Sequence, residues 1–126
     1  MSDYILELRH VHDYGTMKGA LFCRDVQIDV VCEEFEDWFT QTFGSKVHAR
    51  KLYKSIDRVG WLSWFVEFSL CYTRASHLVH VIQIHWDGWI CYDSTIDMEA
   101  ADQFRLAVPY ELVRDSLDEF IQMKAR

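Results

Sequence analysis

Cys32, His77, His80 and Asp93 are the residues whose types and order along the chain suit covalent chemistry. A thiol becomes a useful nucleophile when its surroundings lower its pKa, and a helix start beside a histidine does so. Cys32 stands where the hydrophobic period changes from two to that of a helix, so the spacing predicts it at the head of a long helix. The base must come from elsewhere, with a carboxylate or amide behind it to fix its tautomer. The segment 77–95 offers both. LVHVIQIHW at 78–86, the turn pair Asp87-Gly88 and WICYDST at 89–95 predict a β-hairpin. Residues across such a hairpin can meet on one face, which makes a His–Asp pair geometrically reasonable. The chemistry implied is acyl transfer, with the Cys32 thiolate attacking an amide or ester carbonyl.

The elements that must position these groups follow from the patterning. Residues 4–12 alternate, with Tyr4, Leu6 and Leu8 on one side, and predict a strand. Gly15 and Gly19 mark a turn region, and a second extended run goes from 20–22 through 26–30. Val31, Phe35, Trp38, Phe39 and Phe43 then recur on one helical face, Glu33, Glu34, Glu36 and Asp37 take the other, and Gly44 is a stop signal. Asp29 either caps this helix or ends the strand before it. Beyond 46 the pattern predicts strands, with Leu62, Trp64, Val66, Phe68 and Leu70 alternating against Ser63, Glu67 and Ser69. A last helix follows Pro109, with Val113, Leu117, Phe120 and Ile121 as its buried stripe. The expectation is one α+β domain over 1–126, an antiparallel sheet with the nucleophile helix packed on it and a C-terminal helix.

The segment 31–39, VCEEFEDWF, running on to Gly44 and to HARKL at 48–52, resembles the nucleophile helix of the transglutaminase-like, papain-related superfamily. There a Val-Cys pair opens a helix, which ends at a glycine before an Ala-Arg-containing strand. The segment from His77 to Thr95 resembles that family's second signature: a His-led strand, a turn ending in Gly-Trp (here Gly88-Trp89), and a strand ending Asp-x-Thr. The resemblance covers roughly residues 30–95. It implies a papain-like fold with Cys32 as nucleophile, His77 as base and Asp93 as its orienter. His80 is the alternative base, although it alternates with Ile82, Ile84 and Trp86 as a core residue would. Gln27 and Trp61 are the candidates to complete an oxyanion hole. The family usually has glycine two before the cysteine, where this chain has Val30. A second likeness, to the permuted NlpC/P60-type relatives, requires a nucleophile after the hairpin, and the unpermuted order fits better.

Composition narrows the partners. A net charge of −7 and clustered acids argue against a phosphate-tracking surface, so no nucleic-acid partner is expected. No apolar stretch is long enough for a membrane span and no window reads as a signal peptide, so a cytoplasmic protein with reduced Cys23, Cys32, Cys71 and Cys91 is expected. His77, His80 and His85 scatter over two strand faces without a Cys-x-x-Cys pair, so no metal or cofactor is expected. His10 and His12 share a strand face and read as a surface pair. The substrate expected is a protein or peptide. The alternative is a non-catalytic, small acidic binding or inhibitor protein of viral or immunity type on a degenerate papain-like frame. The thiol separates the two: partly exposed in a cleft and within hydrogen-bond reach of a histidine for the enzyme, buried for the binding protein.

Overall fold

The computed structural model describes residues 3–70 and 96–124. The first strands, β1 (Ile5–Asp13) and β2 (Thr16–Cys23), form a hairpin whose turn residues Tyr14 and Gly15 have φ of 49° and 83°. Two successive positive φ values give a turn whose twist matches that of the strands, and Gly15 occupies one of them without strain. A second reversal at Arg24 and Asp25, also at positive φ, leads into β3 (Val26–Val30). The run 20–30, expected as one extended stretch, is therefore two antiparallel strands. No glycine announces this turn. Long-range contacts hold it instead: Arg24 lies 4.7 Å over the Tyr4 ring and Asp25 pairs with Arg9 at 2.7 Å.

Helix α1 (Glu33–Phe43) follows, buries Phe35 and Phe39, and ends at Gly44, whose φ is 84° and whose N–H reaches Thr40 O at 3.0 Å. A short strand, β4 (Lys46–His48), then pairs with β1. The sheet order is β3-β2-β1-β4, antiparallel throughout. Leu6 faces Cys23 and Leu8 faces Leu21, which sets the core side of the sheet.

After β4 the chain is helical where strands were expected. Residues 49–52 belong to α2 (Ala49–Ser55) rather than to an Ala-Arg-containing strand. Its first turn is held from outside, since Ala49 N–H donates to Tyr4 O and Arg50 N–H to Asp3 Oδ2, both at 2.8 Å. Arg105 closes the other end, donating from Nη1 to Tyr53 O at 3.1 Å and to Ile56 O at 2.7 Å. The alternating segment 62–70 is α3 (Val59–Leu70). This helix packs against β3 and both later helices, and Val59, Trp61, Leu62, Ser63 and Phe65 are all buried. A helix enclosed on most sides has no polar stripe, so its apolar residues lose helical periodicity and mimic a strand.

Asp97 N–H donates to Asp57 O at 2.9 Å and Asp97 caps α4 (Met98–Ala107), its side chain accepting from Ala100 N–H at 3.0 Å. This helix was not anticipated. Pro109 then leads into α5 (Tyr110–Lys124), which buries the expected Val113, Leu117, Phe120 and Ile121. The described part is thus α+β, with a four-stranded antiparallel sheet, five helices and the C-terminal helix where it was expected. Tyr4 OH donates to Asp118 and Tyr110 OH to Asp3, tying β1 and the residues before it to α5. Among the described residues no helix is long and apolar enough to cross a membrane.

Candidate functional site

Cys32 is the N-cap of α1, in extended conformation (φ −75°, ψ 162°), and its side chain makes no capping hydrogen bond. Its thiol is exposed, whereas Cys23, on the core side of β2, is buried. Burial pushes the Cys23 thiol up to about 11, so it stays protonated at neutral pH. The two cysteines therefore differ in kind: one packs as a small hydrophobe, the other faces solvent at a helix N-terminus.

Three interactions set the position of Cys32. Val31 N–H donates to Gly19 O at 2.9 Å, fixing the chain against β2 immediately before the thiol. Asp29 Oδ1 accepts from Val30 N–H and Asp29 Oδ2 from Trp64 Nε1–H, each at 2.8 Å. Asp29 thus ends the strand and braces it against α3 instead of capping α1. Behind the helix, Phe35 stacks edge-on against Trp61 and Trp64 at 5.2 and 5.4 Å, and Trp38 lies 5.5 Å from Trp61. The first turn of α1 is consequently anchored on its inner face.

The thiol opens on a groove of about 450 Å³ between β2 and α1, lined by Lys18 and Gly19 on one wall and Glu33 and Glu36 on the other. Glu36 Oε1 accepts from His10 Nε2 at 2.6 Å. The opposite carboxylate oxygen lies so near β2 that a Cβ on Gly19 would stand 2.8 Å from it. Glycine at 19 thus permits the close approach of carboxylate to strand. A second groove, of about 350 Å³ on the other side of the sheet, is lined by charges engaged with one another: Glu7 with Arg9 and Lys46, and Arg9 with Asp25.

Of the residues singled out in the sequence, Cys32 occupies the helix start expected of it. Gln27 is exposed on β3. Trp61 is buried on α3 among Phe35 and Trp38, with the Arg58 guanidinium 4.0 Å over its ring. His77, His80, His85 and Asp93 lie outside the described residues, as do Cys71 and Cys91. Among the described residues, no group of three or more His, Cys, Asp or Glu side chains is arranged to hold a metal.

His10 and Glu36 were read as surface residues, one of a strand pair and one on the solvated face of a helix. The signal that joins them was present. His10 continues the face of Leu6 and Leu8, which is the face α1 covers, and it stands opposite Gly19.

The chain matches no family model, no curated protein and no solved structure.

Proposed function

We propose that the protein is a cysteine-dependent acyl-transfer enzyme of the transglutaminase-like, papain-related kind, acting on an amide or ester of a protein or peptide. The observation that carries the reading is the state of Cys32: an exposed thiol at the head of an 11-residue helix, opening on a groove. The first N–H groups of a helix lack intrahelical acceptors and favour negative charge, which suits both a thiolate and a developing oxyanion. Burial of Cys32 would have favoured the non-catalytic alternative.

In the proposed reaction a histidine, His77 or His80, takes the thiol proton and Asp93 orients it. Cys32 Sγ forms a bond to the carbonyl carbon, giving a tetrahedral oxyanion. The C–N or C–O bond then breaks, the histidine returns the proton to the leaving group, and a thioester remains. Attack by water on that thioester releases the acid, and attack by an amine gives a new amide. The resemblance in segments 31–44 and 77–95 supports this assignment and the papain-like arrangement it implies; the helix at 49–52 departs from it.

The test is the pH dependence of iodoacetamide labelling, located by mass spectrometry, in wild type, His77→Ala, His80→Ala and Asp93→Asn. The expected result is rapid labelling of Cys32 well below the ~8.5 of a free thiol, lost in one histidine variant. Labelling of Cys32 no faster than that of a free thiol would overturn the enzyme reading in favour of the acidic binding protein.

A further inference from the structure

β2 runs on past the strand that flanks it. β3 ends at Val30, opposite Ala20, and the chain then turns into α1. The register decides which backbone groups this leaves at the edge. Asp13 and Thr16 flank the two-residue turn and face one another across the ribbon, so they are the bonded pair of the hairpin. Alternation then turns the N–H and C=O of Met17 away from β1, those of Lys18 towards it and those of Gly19 away again. Two bonds fix this phase: Val31 N–H donates to Gly19 O on the β3 side, and Leu8 N–H to Ser45 O at the opposite edge, each at 2.9 Å. Met17 is therefore the next outward position after Gly19, and among the described residues no strand lies beside it.

This edge forms one wall of the Cys32 groove, lined by Thr16 to Gly19 from β2 and by Glu33 and Glu36 from α1. That stretch of strand spans roughly 10 Å, room for about three or four residues of extended chain. The charge an occupant meets is negative. Lys18 is engaged with Asp13 at 3.2 Å and Glu36 with His10, whereas Glu33 is exposed and makes no ion pair among the described residues. We propose that the groove takes an extended polypeptide bearing lysine or arginine as an added strand, one residue of which exchanges both backbone bonds with Met17 while a basic side chain reaches Glu33. Strand addition draws its affinity from main-chain bonds and its selectivity from alternate side chains. The unpaired edge supplies the first and Glu33 the second. The proposal deepens the acyl-transfer reading by naming its substrate class, and that purpose rests on the reading; the binding itself does not.

Disulfide exchange at Cys32 tests this without requiring turnover. The probe is a short acetylated peptide amide of alternating valine and lysine with one cysteine, presented as its mixed disulfide with 2-mercaptoethanol. Exchange joins it to Cys32 and releases 2-mercaptoethanol, and mass spectrometry of the digest locates and quantifies the product. Comparison peptides carry glutamate in place of lysine, or methyl groups on the backbone nitrogens. Because one thiol forms every adduct, its own reactivity cancels from the ratios. The lysine peptide is expected to give about fivefold more adduct than its N-methylated form and about threefold more than the glutamate peptide. Met17→Pro removes the outward N–H and leaves the bonds to β1 in place, so it should shrink the first difference. Glu33→Gln should shrink the second. Circular dichroism checks that both variants fold, and the wild-type ratios decide without them. Equal adduct from the lysine peptide and its N-methylated form would overturn the strand addition, and equal adduct from the lysine and glutamate peptides the basic preference. A concentration-dependent dimer in sedimentation that Met17→Pro dissociates would also overturn it, giving the edge to a second copy. The two readings fail separately: a Cys32 that iodoacetamide labels no faster than a free thiol ends the acyl-transfer reading, while the ratios among peptides still decide the edge.

Discussion

Trp64 Nε1 donates a hydrogen bond to Asp29 Oδ2 at 2.8 Å, joining the central helix to the edge strand three residues before the exposed thiol. Because Asp29 Oδ1 also accepts from Val30 N–H, a single carboxylate both ends the strand and holds it on the helix. Trp64→Phe removes one bond and keeps most of the ring packing, with an expected loss of about 1 kcal/mol. Asp29→Ala leaves two donors without their acceptor, with an expected loss of about 2 kcal/mol. Urea denaturation measures both, and a cost for Asp29→Ala no larger than that for Trp64→Phe would count against the bracing role.

Arg105 serves the C-terminal end of α2 in the same manner, since its guanidinium is largely buried and bonds the carbonyls of Tyr53 and Ile56. Arg105→Ala is expected to cost about 2 kcal/mol by leaving those carbonyls unmatched. Arg105→Lys should recover only part, because an ammonium lacks the planar fork. Thermal unfolding of the three proteins gives the order.

The two described cysteines should label in sequence. In the native protein iodoacetamide is expected to modify Cys32 and leave Cys23 untouched, because Cys23 is buried and its thiol sits near 11. Addition of denaturant should bring Cys23 into reaction with the same midpoint as global unfolding, read by peptide mass spectrometry.

Tyr4 gives the alkaline limb of stability a definite sign. Burial, and then the hydrogen bond to Asp118, raise its hydroxyl from 10.0 to about 12. Its contribution is fully present below the unfolded value near 10 and is lost as pH rises from there through about 12. Tyr4→Phe should be less stable than wild type at neutral pH, and should lose less of its melting temperature between those limits.

Gly19→Ala tests the close approach of Glu36 to β2. The added methyl would meet Glu36 Oε2 at 2.8 Å, and the end of a flexible side chain can give way. The expected result is a folded protein, destabilised by about 1 kcal/mol as read by urea denaturation.

The sequence made some of this architecture legible and hid the rest for identifiable reasons. The helix 33–43 was readable because Phe35 and Phe39 face the core while Glu33, Glu34 and Asp37 face water, and Gly44 closes it. The last helix was readable for the same reason of two unlike faces. α3 was misread because it is enclosed, so Leu62, Trp64 and their neighbours carry no amphipathic rhythm. α2 was misread because Asp3, Tyr4 and Arg105, all distant in sequence, supply its caps. Asp97, which opens α4, is an ordinary N-cap signal that the strand expectation beyond residue 46 overshadowed. At the site, Cys32 was visible from the change of period. Alternation along β1 already placed His10 on the face of Leu6 and Leu8; what the sequence did not show is that α1 lays Glu36 against that face.

The bonds from Tyr4 to Asp118 and from Asp3 to Tyr110 span 114 and 107 residues. On a ribosome, the hairpin and α1 emerge long before the partners of these two groups are made. The nascent sheet must wait with Asp3 and Tyr4 unengaged, and the groups that hold the start of α2 lie next to that open seam. Until residues 110–118 are made that seam stays open, which leaves the early sheet aggregation-exposed over this interval.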